Sequence, residues 1–231
     1  MGPNWSRKGR DSGRPHVTKV IVSFPPEIAV SYSPHVTQMI RCFTAPLLAF
    51  IFLPFCLHAQ APEAGGHEWQ VWTGGGHATT GSTSDTAVWN AGFRYGWILT
   101  NAVGPHPLRG RFEYAVDVVP IFLVPQRTNT AFGIGLNPFA LKWNFATKGT
   151  ITPYIEIGGG VLLSNTEVPP GTSRVNFAPT AALGVHFLRK KYNWSAEVRY
   201  MHISNAGLTS PNPGINTIQV RFGFGRFTPR E

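Results

Sequence analysis

The sequence predicts an all-β fold, an eight-stranded antiparallel up-and-down transmembrane β-barrel, on three observations. Between residues 67 and 227 lie eight segments of two-residue alternation separated by turn-rich sequence, with no sustained 3.6-residue period of an amphipathic helix. In segment after segment, charges of both signs share one face and apolar or aromatic side chains share the other. The even strand count lets the sheet close on itself, which removes its edges.

The segments run at 67–75, 86–99, 108–124, 130–145, 150–163, 174–188, 192–204 and 216–227. In the second, Ala87, Trp89, Ala91, Phe93, Tyr95, Trp97 and Leu99 alternate with Thr86, Asn90, Gly92, Arg94 and Gly96. The third sets Phe112, Tyr114, Val116, Val118 and Phe122 against Arg109, Arg111, Glu113 and Asp117. The fourth breaks its pattern near Pro138, where a bulge or a change of face is expected. The seventh alternates Trp194, Ala196, Val198 and Tyr200 with Asn193, Ser195, Glu197 and Arg199, and the eighth Ile218, Val220, Phe222 and Phe224 with Thr217, Gln219, Arg221 and Gly223. Gly74 to Gly76 and Gly158 to Gly160 fit barrel bends and close packing better than phosphate cradles.

A soluble barrel would turn its charges to water. Here opposite charges on one face can neutralise one another inside a narrow barrel, and the other face is apolar enough for hydrocarbon. Trp89 and Trp97 are eight residues apart, about 26 Å along a strand or roughly 20 Å of depth at a tilt near 40°. That matches an outer-membrane apolar band with an aromatic residue at each border.

The N-terminal part reads differently. Residues 1–38 are polar, Pro-rich and without period, and are expected to be a non-native or disordered extension. Residues 39–59 read as a signal peptide: Met39-Ile40-Arg41, an apolar run from Cys42 to Leu57 interrupted by Pro46 and Pro54, and a cut after Ala59. The barrel domain is then 60–231. Both cysteines, Cys42 and Cys56, fall in the signal, so thiolate catalysis, disulfides and thiolate metal sites are excluded from the mature chain, and the bulky Phe55 argues against a lipoprotein. From Gln60 onward there are 14 Lys and Arg against 9 Asp and Glu, so the net charge is 14 − 9 = +5 where the whole chain has +9. Much of the basic excess precedes the barrel. No nucleic-acid partner is expected, and Arg189-Lys190-Lys191 reads as a charged turn.

Chemistry concentrates at the end of the seventh segment, in Arg199-Tyr200-Met201-His202-Ile203-Ser204-Asn205-Ala206-Gly207-Leu208 and the following Pro211-Asn212-Pro213-Gly214-Ile215-Asn216. Two-residue periodicity puts His202 and Ser204 on the apolar face, in line with Tyr200 and Val198. A base and a nucleophile on the greasy side of a strand suit a greasy substrate. With both termini in the periplasm, the seventh strand climbs outward and the pair sits near the outer leaflet. Ser204, Asn205, Gly207, Pro211, Pro213 and Gly214 are also good loop formers, so a purely structural loop is the alternative.

The run from His202 to Leu208, followed by Pro211 to Gly214, resembles the lipid A 3-O-deacylase (PagL) family of outer-membrane barrels. The close match spans about 16 residues, and the barrel plan spans the whole mature chain. The resemblance implies an esterase that removes an ester-linked acyl chain from lipid A or a related outer-leaflet lipid. It implies Ser204 as nucleophile, His202 as general base, and Asn212 with the backbone N–H of Gly207 as oxyanion donors. The family's third catalytic member, a Glu, is replaced here by Asn216. An amide can orient an imidazole but cannot stabilise an imidazolium by charge. Such a site is slow, is helped by another carboxylate, or has kept its shape for binding alone. Glu156 and Glu197 belong to the inward face by parity, and Asp85 and Glu167 lie in or beside outer loops.

The expected partners are therefore lipid A or lipopolysaccharide, or another membrane lipid, within the outer membrane, with a homodimer also compatible. No cofactor is expected. Nor is a metal, since His67, His77, His106 and His186 lack ligand spacing. Two other functions compete: a non-catalytic outer-membrane scaffold that keeps the site loop without the acidic member, and a soluble carrier of hydrophobic ligands.

Overall fold

The structure, a computed structural model, describes residues 61–79 and 83–229. The extension and signal-peptide assignments lie outside those residues. Nine strand segments follow in order: β1 His67–Ala78, β2 Ala87–Ile98, β3 Gly110–Pro125, β4 Thr130–Phe145, β5 Ile151–Ser164, β6 Val175–Phe177, β7 Thr180–Leu188, β8 Asn193–Ile203 and β9 Ile215–Thr228. Each pairs antiparallel with its neighbours, β1 pairs with β9, and β6 and β7 both pair with β5. β6 and β7 are two halves of one stave, so the sheet is a closed eight-stranded antiparallel barrel.

The sequence pattern predicts a sixth stave continuous over 174–188, and Pro179 breaks it. His202 N–H donates to the Pro179 carbonyl at 3.0 Å. Proline has no N–H to return the bond. Beyond the gap the pairing resumes with Phe177 and Ser204 bonded in both directions.

Alternation sorts the side chains as expected in most places. Trp89, Phe93, Val198, Tyr200, Ile218, Val220 and Phe222 are exposed on the outer wall, and Arg94, Glu113, Asp117, Glu197, Arg199 and Arg221 are buried inside. The β4 register shifts between Leu136 and Phe139, which is the irregularity expected at Pro138. Phe122 departs from expectation: it faces the interior and is buried. A register shift between Val119 and Phe122, across Pro120 and Ile121, adds a residue and inverts the faces beyond it. The strand glycines allow close packing. A Cβ on Gly76 would run into the Ile218 carbonyl, and one on Gly160 into that of Leu136.

The interior is layered. Across its middle, Arg94 binds Asp117 at 2.8 Å and Glu156 at 2.5 Å, Arg199 bridges Glu156 at 2.7 Å and Glu197 at 2.6 Å, and Lys142 joins Glu68 at 2.6 Å and Glu113 at 3.2 Å. Four cations thus meet five carboxylates once Arg221, 3.7 Å from Asp117 and Glu197, is included. Beneath this network Ile98, Leu188 and Phe227 form a small apolar cap. Above it a larger apolar layer includes Trp72, Phe122, Leu162, Met201, Ile203 and Ile215. Outside, at the end of the barrel away from the β8–β9 loop, Trp69, Tyr95, Trp97 and Tyr114 stack edge to face or in parallel from β1 to β3. Such a girdle marks a membrane border.

Candidate active site

The site stands on β8, β9 and the loop between them. His202 and Asn216 are directly opposed in the β8–β9 ladder, flanked by the Met201–Thr217 and Ile203–Ile215 pairs. Ile203 and Ile215 point inward and are fully buried, so the frame of the site rests on the upper apolar layer. His202 and Asn216 share the outer face because directly opposed residues project to the same side of a sheet. Ser204, two residues on, is opposite Phe177 and takes that face as well. It is nonetheless buried, with a relative exposure of 8 %.

The imidazole is held at two points. His202 Nδ1 lies 2.7 Å from Asn216 Oδ1. An amide oxygen only accepts, so Nδ1 carries a proton, and in the neutral ring Nε2 keeps its lone pair. That is the tautomer a base needs. The ring passes over Gly214, where a Cβ would come within 2.7 Å of His202 Cε1, and Gly214 has φ +66°. Only glycine meets both conditions without strain.

The β8–β9 loop is organised by Asn205. Its Oδ1 accepts from Gly207 N–H at 2.8 Å, its Nδ2 donates to Thr209 Oγ1 at 2.7 Å and to the Thr209 carbonyl at 3.1 Å, and its own N–H donates to Asn212 Oδ1 at 3.2 Å. Ala206 and Gly207 follow with φ of +53° and +82°. Of the expected oxyanion donors, then, Gly207 N–H is engaged within its own loop, while the oxygen of Asn212 is fixed and its Nδ2 is the donor end. Sequence reasoning treats Asn205 as a turn starter; its role as the hub depends on Thr209 and Asn212, at spacings that no short motif announces.

None of the carboxylates weighed in the sequence as a helper for His202 is bonded to it in the structure. Glu156 and Glu197 are in the interior network. Asp85 is 3.9 Å from Arg127 on exposed loops, and Glu167 accepts from Gly171 N–H. Among the described residues no cluster of three or more His, Cys, Asp or Glu has the arrangement of a metal site. The partner that sequence reasoning misses is Tyr200, whose hydroxyl donates to Asn216 Oδ1 at 2.6 Å. The sequence assigns it only to the apolar stripe, because a phenol reads as aromatic in a two-residue pattern.

A family model described as "Lipid A 3-O-deacylase (PagL)" matches residues 64–225. The chain belongs to the lipid A 3-O-deacylase (PagL) family. Among solved structures, the outer membrane enzyme PagL superposes with TM-score 0.50 at 22 % identity, over 67 % of this chain and 97 % of its own. The N-terminal β-barrel domain of Pseudomonas aeruginosa OprF gives 0.43 at 13 % identity, covering 70 % of this chain and 98 % of that domain. Neisserial surface protein A gives 0.44 at 12 %, over 71 % and 97 %. No curated protein matches the chain. Membership of the PagL family and the closed barrel with its apolar outer wall place the protein in the bacterial outer membrane.

Proposed function

We propose that this PagL-family barrel is an outer-membrane serine esterase that removes an ester-linked acyl chain from lipid A or a related outer-leaflet lipid. The observation that carries the reading is the 2.7 Å contact of His202 Nδ1 with Asn216 Oδ1, which in the neutral ring leaves Nε2 free to act as a base; it shares the outer face with Ser204, though no hydrogen bond joins the two side chains. An acyl chain would lie along the outer wall beside Val198 and Phe177, both exposed, with its ester carbonyl at Ser204.

His202 Nε2 takes the Ser204 Oγ proton as Oγ adds to the carbonyl carbon. The negative oxygen faces Asn212 Nδ2, and Gly207 N–H joins if its turn to Asn205 opens. Collapse breaks the ester C–O bond, the sugar hydroxyl leaves with the proton from His202, and the acyl group remains on Ser204. Water, deprotonated by the same imidazole, then releases the fatty acid. Each oxyanion donor of this kind contributes about 3–4 kcal/mol where it has been removed from other hydrolases.

The Asn216 amide supports a second reading, a non-catalytic barrel that retains the loop. The two separate in mass spectrometry of lipid A from cells expressing the mature chain or Ser204→Ala. Loss of one hydroxyacyl chain with the first and not the second is expected. Unchanged lipid A with both favours the scaffold. A homodimer would show as a doubled mass in detergent.

A further inference from the structure

We propose that Tyr200 is a positioning residue that selects which end of the Asn216 amide faces His202. The proposal rests on the reading of His202 as the base. A carboxylate has two like oxygens, so a Glu at this position would accept the Nδ1 proton whichever way it turned. An amide has one oxygen and one NH2 group of nearly the same shape. Turned round, Nδ2 would donate to Nδ1 and the ring proton would move to Nε2. Ser204 would then face a donor in place of a base. Exchanging Glu for Asn thus creates a requirement that the acid does not have: the oxygen end must be chosen.

Tyr200 is placed to choose it. It projects from the outer face of β8 two residues before His202, diagonal to Asn216 across the ladder, and its hydroxyl reaches Oδ1 at 2.6 Å. The same oxygen takes His202 Nδ1 at 2.7 Å, so two donors converge on one acceptor. Tyr200 is directly opposed by Ala181 on β7 and Ile218 on β9, neither of which has a polar side-chain atom. If the amide turned, its NH2 group could satisfy both the imidazole and the phenol oxygen, but the phenol hydrogen would have no acceptor among these neighbours. The phenol would then have to turn its hydrogen away from the amide to water or a lipid headgroup, giving up the converging bonds it now shares with the imidazole, so it favours Oδ1 inward.

The test is a two-by-two comparison of Tyr and Phe at position 200 with Asn and Glu at position 216, in the full barrel in detergent micelles. Nitrogen-15 NMR of the imidazoles in their neutral form, with His202 assigned by difference against His202→Gln, reads the tautomer directly. The wild type is expected to carry the Nδ1 proton, Y200F a mixture of both tautomers, and N216E with or without Y200F the Nδ1 proton alone. In lipid A deacylation, Y200F lowers kcat beside Asn216 in proportion to the fraction of rings in the wrong tautomer, about twofold or more, with KM unchanged, because a wrong tautomer removes the base. In the N216E background the same change is less than about twofold, since either carboxylate oxygen serves. An undisturbed tautomer in Y200F, or an equal loss of rate in both backgrounds, overturns the proposal. Should the wild type deacylate nothing, the catalytic reading fails while the tautomer still decides the role of Tyr200.

Discussion

At the scale of single residues, the site depends on how closely an imidazole is held. Gly214 lies so near the ring that a methyl group there would meet Cε1 at 2.7 Å, and the left-handed backbone at φ +66° adds strain to any replacement. Gly214→Ala is therefore expected to displace His202 and lower kcat about 100-fold, the size of effect that misplacement by an ångström produces. The check is deacylation kinetics beside heat-modifiable migration on gels, which should be unchanged because the barrel staves are untouched. On the proposed mechanism, Asn216 limits the rate in a different way. The amide orients the ring but offers no charge to the imidazolium that the proposed deprotonation of Ser204 would form. In serine-protease triads the change from Asp to Asn costs about 10⁴ in kcat, so Asn216→Glu should raise kcat here by at least about tenfold. No gain would mean that a step other than proton transfer limits turnover.

At the scale of elements, each stave is specified by what lies on its two faces, and the inner faces are specified by charge. Lys142 on β4 is the shared cation of Glu68 on β1 and Glu113 on β3, all three fully buried. Lys142→Met would leave two carboxylates without their counter-ion and is expected to destabilise the barrel by about 3–5 kcal/mol. A fall in the urea midpoint for unfolding from lipid vesicles measures it, with Lys148→Met, in an exposed turn, as the control. Two-residue alternation makes such faces legible in the sequence, and with them the strand count and the buried position of Glu156 and Glu197. It fails where the backbone leaves the ladder. Parity puts Phe122 outside, because a bulge at Pro120 and Ile121 shifts the faces without any change of composition. The sixth stave looks unbroken in sequence because the consequence of Pro179 depends on which partner its N–H would have faced. In the site, His202, Ser204 and Asn216 are legible as a motif. Tyr200 and Asn205 are not, since their roles come from partners across a ladder and across a loop.

At the scale of the whole molecule, the outer wall has to be solvated by hydrocarbon over a limited height, and that height sets where a charge can be tolerated. On β2, Trp89 and Trp97 are expected at the two borders, and Phe93 lies midway between them, 57 % exposed on the outer face. Its neighbours in the ladder are Val71 on β1 and Val118 on β3, both exposed and apolar, so an ion there finds no partner and no water. Phe93→Arg should cost about 2–4 kcal/mol, as basic residues do at the midplane of membrane barrels. Leu99, beyond Trp97 and equally exposed, is the comparison: Leu99→Arg should cost about 0–1 kcal/mol because its guanidinium reaches the headgroups. Unfolding free energies of both variants in the same vesicles decide the point. A difference of the expected sign and size fixes the Trp97 border of the apolar band, and the height of that band then sets the depth of His202 and Ser204 at the opposite end of the wall. Equal costs for the two substitutions would mean that the band does not lie between Trp89 and Trp97, and the depth assigned to the site would fall with it.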